Sequence, residues 1–208
     1  MKQLKDFVSS INKKTAMSVA IGMILGAALF LSIRFIFNNP EPVHYHANFA
    51  VFIDGKREEF SGPGYYEDVQ ACSATESPRG RTHMHQPDNN IAHVHDKNVT
   101  WGHFFESIGW TLGPDALVTT DHVYRTSEQK ALTFYLNNKE VASPFDQVIG
   151  NEDVLVVSYG DGTADLKKQA EEAKKPTPAH TANVQNDPAA CRGSEELSLG
   201  ARLKKALW

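Results

Sequence analysis

The chain carries nine histidines, and six of them fall in three His-x-His pairs: His44/His46, His83/His85 and His93/His95. In an extended strand alternate side chains share a face, so each pair presents two imidazoles on one side. Neutral imidazoles clustered in this way suit zinc, copper or nickel. The second and third pairs flank Gln86-Pro87-Asp88-Asn89-Asn90, a run of turn formers. With those five residues as the loop of a hairpin, His83 stands opposite His93, and His83, His85, His93 and His95 all point to one face. A four-residue loop shifts the register by one and sends the two pairs to opposite faces. His103 follows close behind and joins the candidate ligands, while Asp96, Asp88 and Glu41 are candidate carboxylate neighbours. Met84 lies between two histidines, faces the other way on a strand, and reads as core. His122 and His180 stand alone and read as surface residues.

The elements that would position these side chains make an α+β domain. His44–Ile53 alternates and ends at Asp54-Gly55, a hairpin signal, with Lys56–Phe60 as the returning strand. Ser61-Gly62-Pro63-Gly64 breaks the chain, and Tyr65–Cys72 reads as a short helix. Arg81–His85 and Ile91–Asp96 form the histidine-bearing hairpin. Thr100 is placed to cap a helix whose apolar positions are Trp101, Phe104, Phe105 and Ile108, with Gly109 stopping it. Ala131–Leu136, Lys139–Val141 and Asp153–Tyr159 read as strands, the last one buried. This order suggests a small mixed sheet arranged as a β-grasp (ubiquitin-like) fold with an inserted histidine-bearing hairpin.

Ahead of that domain lies the run AMSVAIGMILGAALFLSIRFIF at residues 16–37. About 20 apolar residues at 1.5 Å each cross a hydrocarbon core of about 30 Å. Arg34 is the single charge in the run and lies near one end, where it can snorkel. Lys2, Lys5, Lys13 and Lys14 precede the run, and Asn38-Asn39-Pro40-Glu41-Pro42 follows it with no basic residue. The positive-inside rule then places residues 1–15 in the cytoplasm, 16–37 in the membrane and the remainder outside. A cleaved signal peptide would show a shorter apolar core and a small-residue cleavage site, and Arg34-Phe35-Ile36-Phe37 is a poor one. Ser18, Gly22 and Gly26 recur every four residues, a spacing that lets two membrane helices meet in a homodimer.

Residues 38–43 form a short linker, 44–163 the extracytoplasmic domain and 164–208 a C-terminal extension. That extension reads as a charged helix over 164–175, a proline-bearing linker over 176–188, and an amphipathic end with Leu199, Leu203, Leu207 and Trp208 beside Arg202, Lys204 and Lys205. The amphipathic end suits a membrane surface or a face of its own domain. Cys72 and Cys191 both fall on the outer side, where an even count reads as one disulfide. The net charge of -4 and the lack of a basic stripe beyond the N-terminal flank argue against a nucleic-acid partner.

Enzyme patterns built on His-x-His do not fit. A metallo-β-lactamase pattern wants an aspartate two residues after the second histidine and then another histidine, where this chain has Pro87 and Asp88. A cupin pattern wants a glutamate four or five residues on, where Asn89 and Asn90, or Val99 and Thr100, stand. Carbonic-anhydrase-like chemistry would find three ligands in His83, His93 and His95, with Trp101-Gly102 nearby, but without matching flanks. The stretch HYHANFAVFIDGKREEFSG…HMH…HVHD…TWGHFFESIGW…LTFYLNNKEV…EDVLVVSYGD, spanning His44 to Asp161, resembles a group of membrane-anchored, histidine-rich extracytoplasmic proteins of reduced-genome bacteria. The resemblance implies one outer domain and brings no activity with it. The sequence therefore points to a non-enzymatic, membrane-tethered domain that binds zinc or copper. The competing readings are a zinc-dependent hydrolase or lyase, and an envelope assembly or adhesion module with a pH-sensitive histidine surface.

Overall fold

A computed structural model describes residues 12–37, 43–66, 78–184, 200 and 203–204. The described chain forms two units, the N-terminal helix and a folded body that begins at Pro42. The helix, α1 (Lys13–Phe37), buries none of its residues and is long and apolar enough to cross a membrane. Within the rest of unit one, only Gly200, Leu203 and Lys204 of the C-terminal end are described.

The body is an α+β unit around a mixed sheet. Strand β1 (Tyr45–Ile53) is its centre. It turns at Asp54 and Gly55, both at positive φ, into the two-residue β2 (Lys56–Arg57). The return is shorter than the sequence suggests, because Phe60 leaves the ladder and enters the core at a φ of 43°. Pro63–Tyr65 is a single 3-10 turn, and most of the expected helix at Tyr65–Cys72 lies outside the described residues. A helical turn, α2 (Pro78–Arg81), leads into β3 (Thr82–His83) and then β4 (Ile91–Val94). Next come α3 (Trp101–Ser107), β5 (Thr111–Leu112), β6 (Ala116–Val118) and β7 (Val123–Arg125). The chain then forms β8 (Ala131–Leu136), β9 (Lys139–Val141), β10 (Val154–Gly160), α4 (Leu166–Ala173) and α5 (Ala179–Val184).

The main sheet runs β3-β4-β1-β10-β8-β9, with β2 also on β1, and β5-β6-β7 make a second, small sheet. β1 and β10 pair in parallel; β4 lies antiparallel to β1, and β8 to β10. Alternation along β1 divides the body into two packed layers. Ala47, Phe49 and Val51 face α3 and join Phe60, Phe104, Phe105, Trp110, Phe134 and Val157 in the larger core. There Phe49 meets Phe104 edge-on with ring centroids 4.6 Å apart, an arrangement aromatic pairs favour. Ala50 and Phe52 face the other way and pack with Val156, Ala170 and Ala173 beneath α4. The sheet is thus covered on both faces, and α4 belongs to the body instead of extending from it.

One correction concerns the end of the body. The stretch 176–188, expected as a linker, contains α5, whose Ala179 is buried. Its anchor is Asn48 on β1: the side-chain oxygen accepts from Ala179 N at 2.7 Å and the amide donates to Thr177 O at 2.9 Å. Asn90 adds donations to Ala173 O and Thr177 O. The three short strands β5, β6 and β7 have no counterpart in the sequence reading. Cys72 and Cys191 lie outside the described residues, and among the described residues there is no disulfide.

Candidate metal centre

Register decides the site. His83 pairs with His93 across the hairpin, as a five-residue loop requires. His93 in turn pairs with His46 across β1 and β4. One rung of the sheet therefore reads His46–His93–His83 over three adjacent strands. These residues share the parity of Asn48, Ala50 and Phe52, so they occupy the face that carries α4 and α5. Met84 points through the sheet into the larger core, fully buried.

The remaining members of the pairs close the cluster from the strand ends. His44 precedes β1, His95 follows β4 and His85 follows β3. His44 stacks on His95 with centroids 4.7 Å apart, and His83 stacks on His95 at 4.8 Å. His85 meets His93 edge-on at 4.2 Å, and His46 meets His93 at 4.3 Å. His46, His83 and His93 are 3%, 1% and 5% exposed, so half of the cluster is withdrawn from water. His44 is exposed, and His85 and His95 are half-buried.

Within the cluster the donor nitrogens fall into two triads. Those of His44, His46 and His93 lie within 4.8 Å of one another, and so do those of His83, His85 and His95. The closest approaches are His46 Nε2 to His93 Nδ1 at 2.9 Å and His83 Nε2 to His85 Nε2 at 3.1 Å. His83 Nδ1 lies 2.6 Å from the carbonyl oxygen of Arg79, which can only accept. Nδ1 must therefore carry the proton, and the neutral ring is left with Nε2 as the lone-pair nitrogen. Arg79 is itself held, its Nε donating to Ser107 O at 2.9 Å and its terminal nitrogens to Tyr66 O and Gly64 O. A carbonyl that orients a histidine from outside is the usual companion of a metal-binding imidazole. Sequence reasoning missed this role of Arg79, because it is a backbone contact made by a residue whose type gives no hint of it.

Burial keeps His93 and His95 neutral. Burial holds His93 well below the ordinary histidine range, with the neighbouring histidines adding to the shift. His95 is lowered to about 2 by burial first, and then by His83, His44, His85 and His46. Its Nε2 is buried and has no hydrogen-bond partner among the described residues. Neutral imidazole is the form that ligates a metal ion.

The other candidates are engaged elsewhere. His103 is in neither triad; it sits at the third position of α3, where Nδ1 accepts from Thr100 N at 3.1 Å in a capping box. Asp96 is paired with Arg81 at 2.8 Å, and Asp88 accepts from the Thr177 hydroxyl at 2.6 Å. Glu41 lies outside the described residues. His122 is exposed and stacks on Tyr124, while exposed His180 pairs with Glu152 at 3.0 Å. A cleft of about 490 Å³ opens beside Asp54, Lys130, Glu140 and Asp161 and contains no histidine, with Lys130 bonded to Asp54 at 2.6 Å. No protein-family model, curated protein or solved structure matches this chain.

Proposed function

We propose that the protein is a membrane-tethered, extracytoplasmic domain that binds zinc or copper through its six-histidine cluster and does not itself catalyse a reaction. The carrying observation is the assembly of six imidazoles from three strands into two triads of nitrogen donors. His95 Nε2 is buried with no hydrogen-bond partner among the described residues, a cost in free energy that a bound ion would offset. The ligand set is all imidazole, which suits zinc and copper and gives no advantage to magnesium or calcium. Helix α1, with lysines before it and no basic residue just after it, supports an anchor whose N-terminus is cytoplasmic. A β-grasp-like scaffold with the histidine hairpin added at one edge goes with this reading, supported by the parallel pairing of β1 and β10 at the sheet centre.

The test is metal content. The full chain, purified in detergent and stripped with chelator, is titrated with zinc and with copper(II), and bound metal is measured by elemental analysis. Tight binding below micromolar concentration is expected; failure of both metals to bind at micromolar concentration sinks the reading.

One observation favours the hydrolase or lyase as a second reading. Three protein nitrogens leave the fourth position of a tetrahedral zinc open, as catalytic sites do. Turnover of an activated ester or of carbon dioxide by the zinc-loaded chain would establish it. The pH-sensitive surface draws less support, because His46, His83 and His93 are buried where such a surface needs exposed rings.

A further inference from the structure

Resting on the metal-binding reading, we propose that the cluster is a two-ion centre that takes a small anion. His44, His46 and His93 hold one ion, and His83, His85 and His95 hold the second. The two triads share no residue, and each is complete by itself. Each contains one close nitrogen pair, 2.9 Å for His46–His93 and 3.1 Å for His83–His85. With metal–nitrogen bonds of about 2.0–2.1 Å, two ligands on one tetrahedral ion stand roughly 3.3 Å apart. Both pairs therefore reach ligand spacing by opening a few tenths of an ångström. A single four-coordinate ion would leave at least two of the six imidazoles unused.

The triads are neighbours, not separate sites. His44 of one stacks on His95 of the other at 4.7 Å, and His85 meets His93 at 4.2 Å. Ions on the two triads would lie side by side in a partly buried setting.

Charge then specifies the ligand. Imidazoles are neutral, and among the described residues neither triad includes a carboxylate or a thiolate. Of the carboxylates the sequence offered as neighbours, the two that are described are engaged elsewhere, Asp96 with Arg81 and Asp88 with Thr177. Two divalent ions would place four positive charges on triads that, among the described residues, contribute no countercharge of their own, a costly arrangement without an anion. Each ion also has an open coordination position. A small anion such as hydroxide or azide satisfies both demands.

The experiment uses the full chain in detergent, stripped of metal and titrated with copper(II), with azide as the anion probe. Two tight equivalents are expected per chain. His44→Ala and His85→Ala remove one ligand from each triad at positions that are not fully buried, and a weaker His85→Gln gives a second variant for that triad. Each should weaken one equivalent by at least about tenfold and leave the other unchanged. Azide should shift the absorption of the two-copper form. A single equivalent in the wild type overturns the two-ion centre while the metal-binding reading stands. No bound copper or zinc removes both. Two equivalents unaffected by either substitution overturn the triad assignment, and an absorption spectrum indifferent to azide overturns the anion.

Discussion

At the scale of single residues, burial holds two rings of the cluster, His93 and His95, in the neutral form, and that has a consequence for stability. His95 has a folded-state pKa lowered to about 2 and an unfolded value near 6.5, and His93 is displaced in the same direction. Above about pH 6.5 both states hold these rings neutral and stability is at its full value. Below it the unfolded chain takes up protons that the folded chain refuses, so stability falls with pH down to the folded value. For His95 alone the loss by pH 5 is about 2 kcal/mol. Denaturant melts of the metal-free chain at pH 7.5 and pH 5 should show it, and His95→Gln should flatten the dependence; an equally steep curve in that variant would remove His95 as a cause. His103 makes the opposite case. Its ring serves the capping box of α3, so His103→Ala should cost about 1 kcal/mol and leave bound metal unchanged. A drop in metal content would return His103 to the site.

At the scale of elements, what the sequence revealed and concealed follows from the range of the interactions. The alternation of β1, the cap of α3 and the turns at Asp54-Gly55 and Asn137-Asn138 are local signals, and the structure has them where the residues say. The register of His83 against His93 was legible as a choice between two loop lengths, and the structure takes the five-residue one. That His46 would lie beside His93 was not legible, because the pairing of β1 with β4 joins residues 47 apart and no local pattern encodes it. Strands β5, β6 and β7 are two or three residues long, too short for period-2 alternation to register. Helix α5 hid in a proline-bearing run because tertiary bonds from Asn48 and Asn90, not propensity, hold it on the sheet. Asn48→Ala removes the acceptor of Ala179 N and the donor to Thr177 O. It should cost about 1–3 kcal/mol and speed amide exchange at residues 179–184 while the sheet stays protected. Uniform loss of protection would show that Asn48 supports the whole body. On the larger core, Gly102 is required by close approach: a Cβ there would lie 2.7 Å from the ring and the carbonyl oxygen of Phe145. Gly102→Ala should therefore destabilise by about 1–3 kcal/mol or more, read from the denaturation midpoint, since backbone cannot yield as a flexible side chain can.

At the scale of the whole molecule, the decisive question is whether α1 stays in the chain and which way it runs. The helix has 25 residues and spans about 37 Å at 1.5 Å per residue, enough for a hydrocarbon core of about 30 Å with some tilt. None of its residues is buried within the protein, as a segment meant for lipid requires, and Arg34 in its last turn can reach the interface. A retained anchor predicts that the full-length chain stays in the membrane pellet after alkaline carbonate washing. Its N-terminal sequence would still begin before Lys13; a mature chain starting beyond Arg34 would make the segment a signal peptide instead. Orientation rests on Lys2, Lys5, Lys13 and Lys14, set against the uncharged or acidic stretch at 38–42. Protease added to intact cells should then digest the body and spare the N-terminal tail. Replacing the four lysines with glutamine, while placing two lysines at Asn38 and Asn39, should invert a fraction of the chains and protect their bodies from the protease. If the native chain is already protected, the histidines face the cytoplasm. Extracytoplasmic metal capture would then fail even though the metal site itself could stand, since the geometry of the two triads owes nothing to the side of the membrane on which they lie.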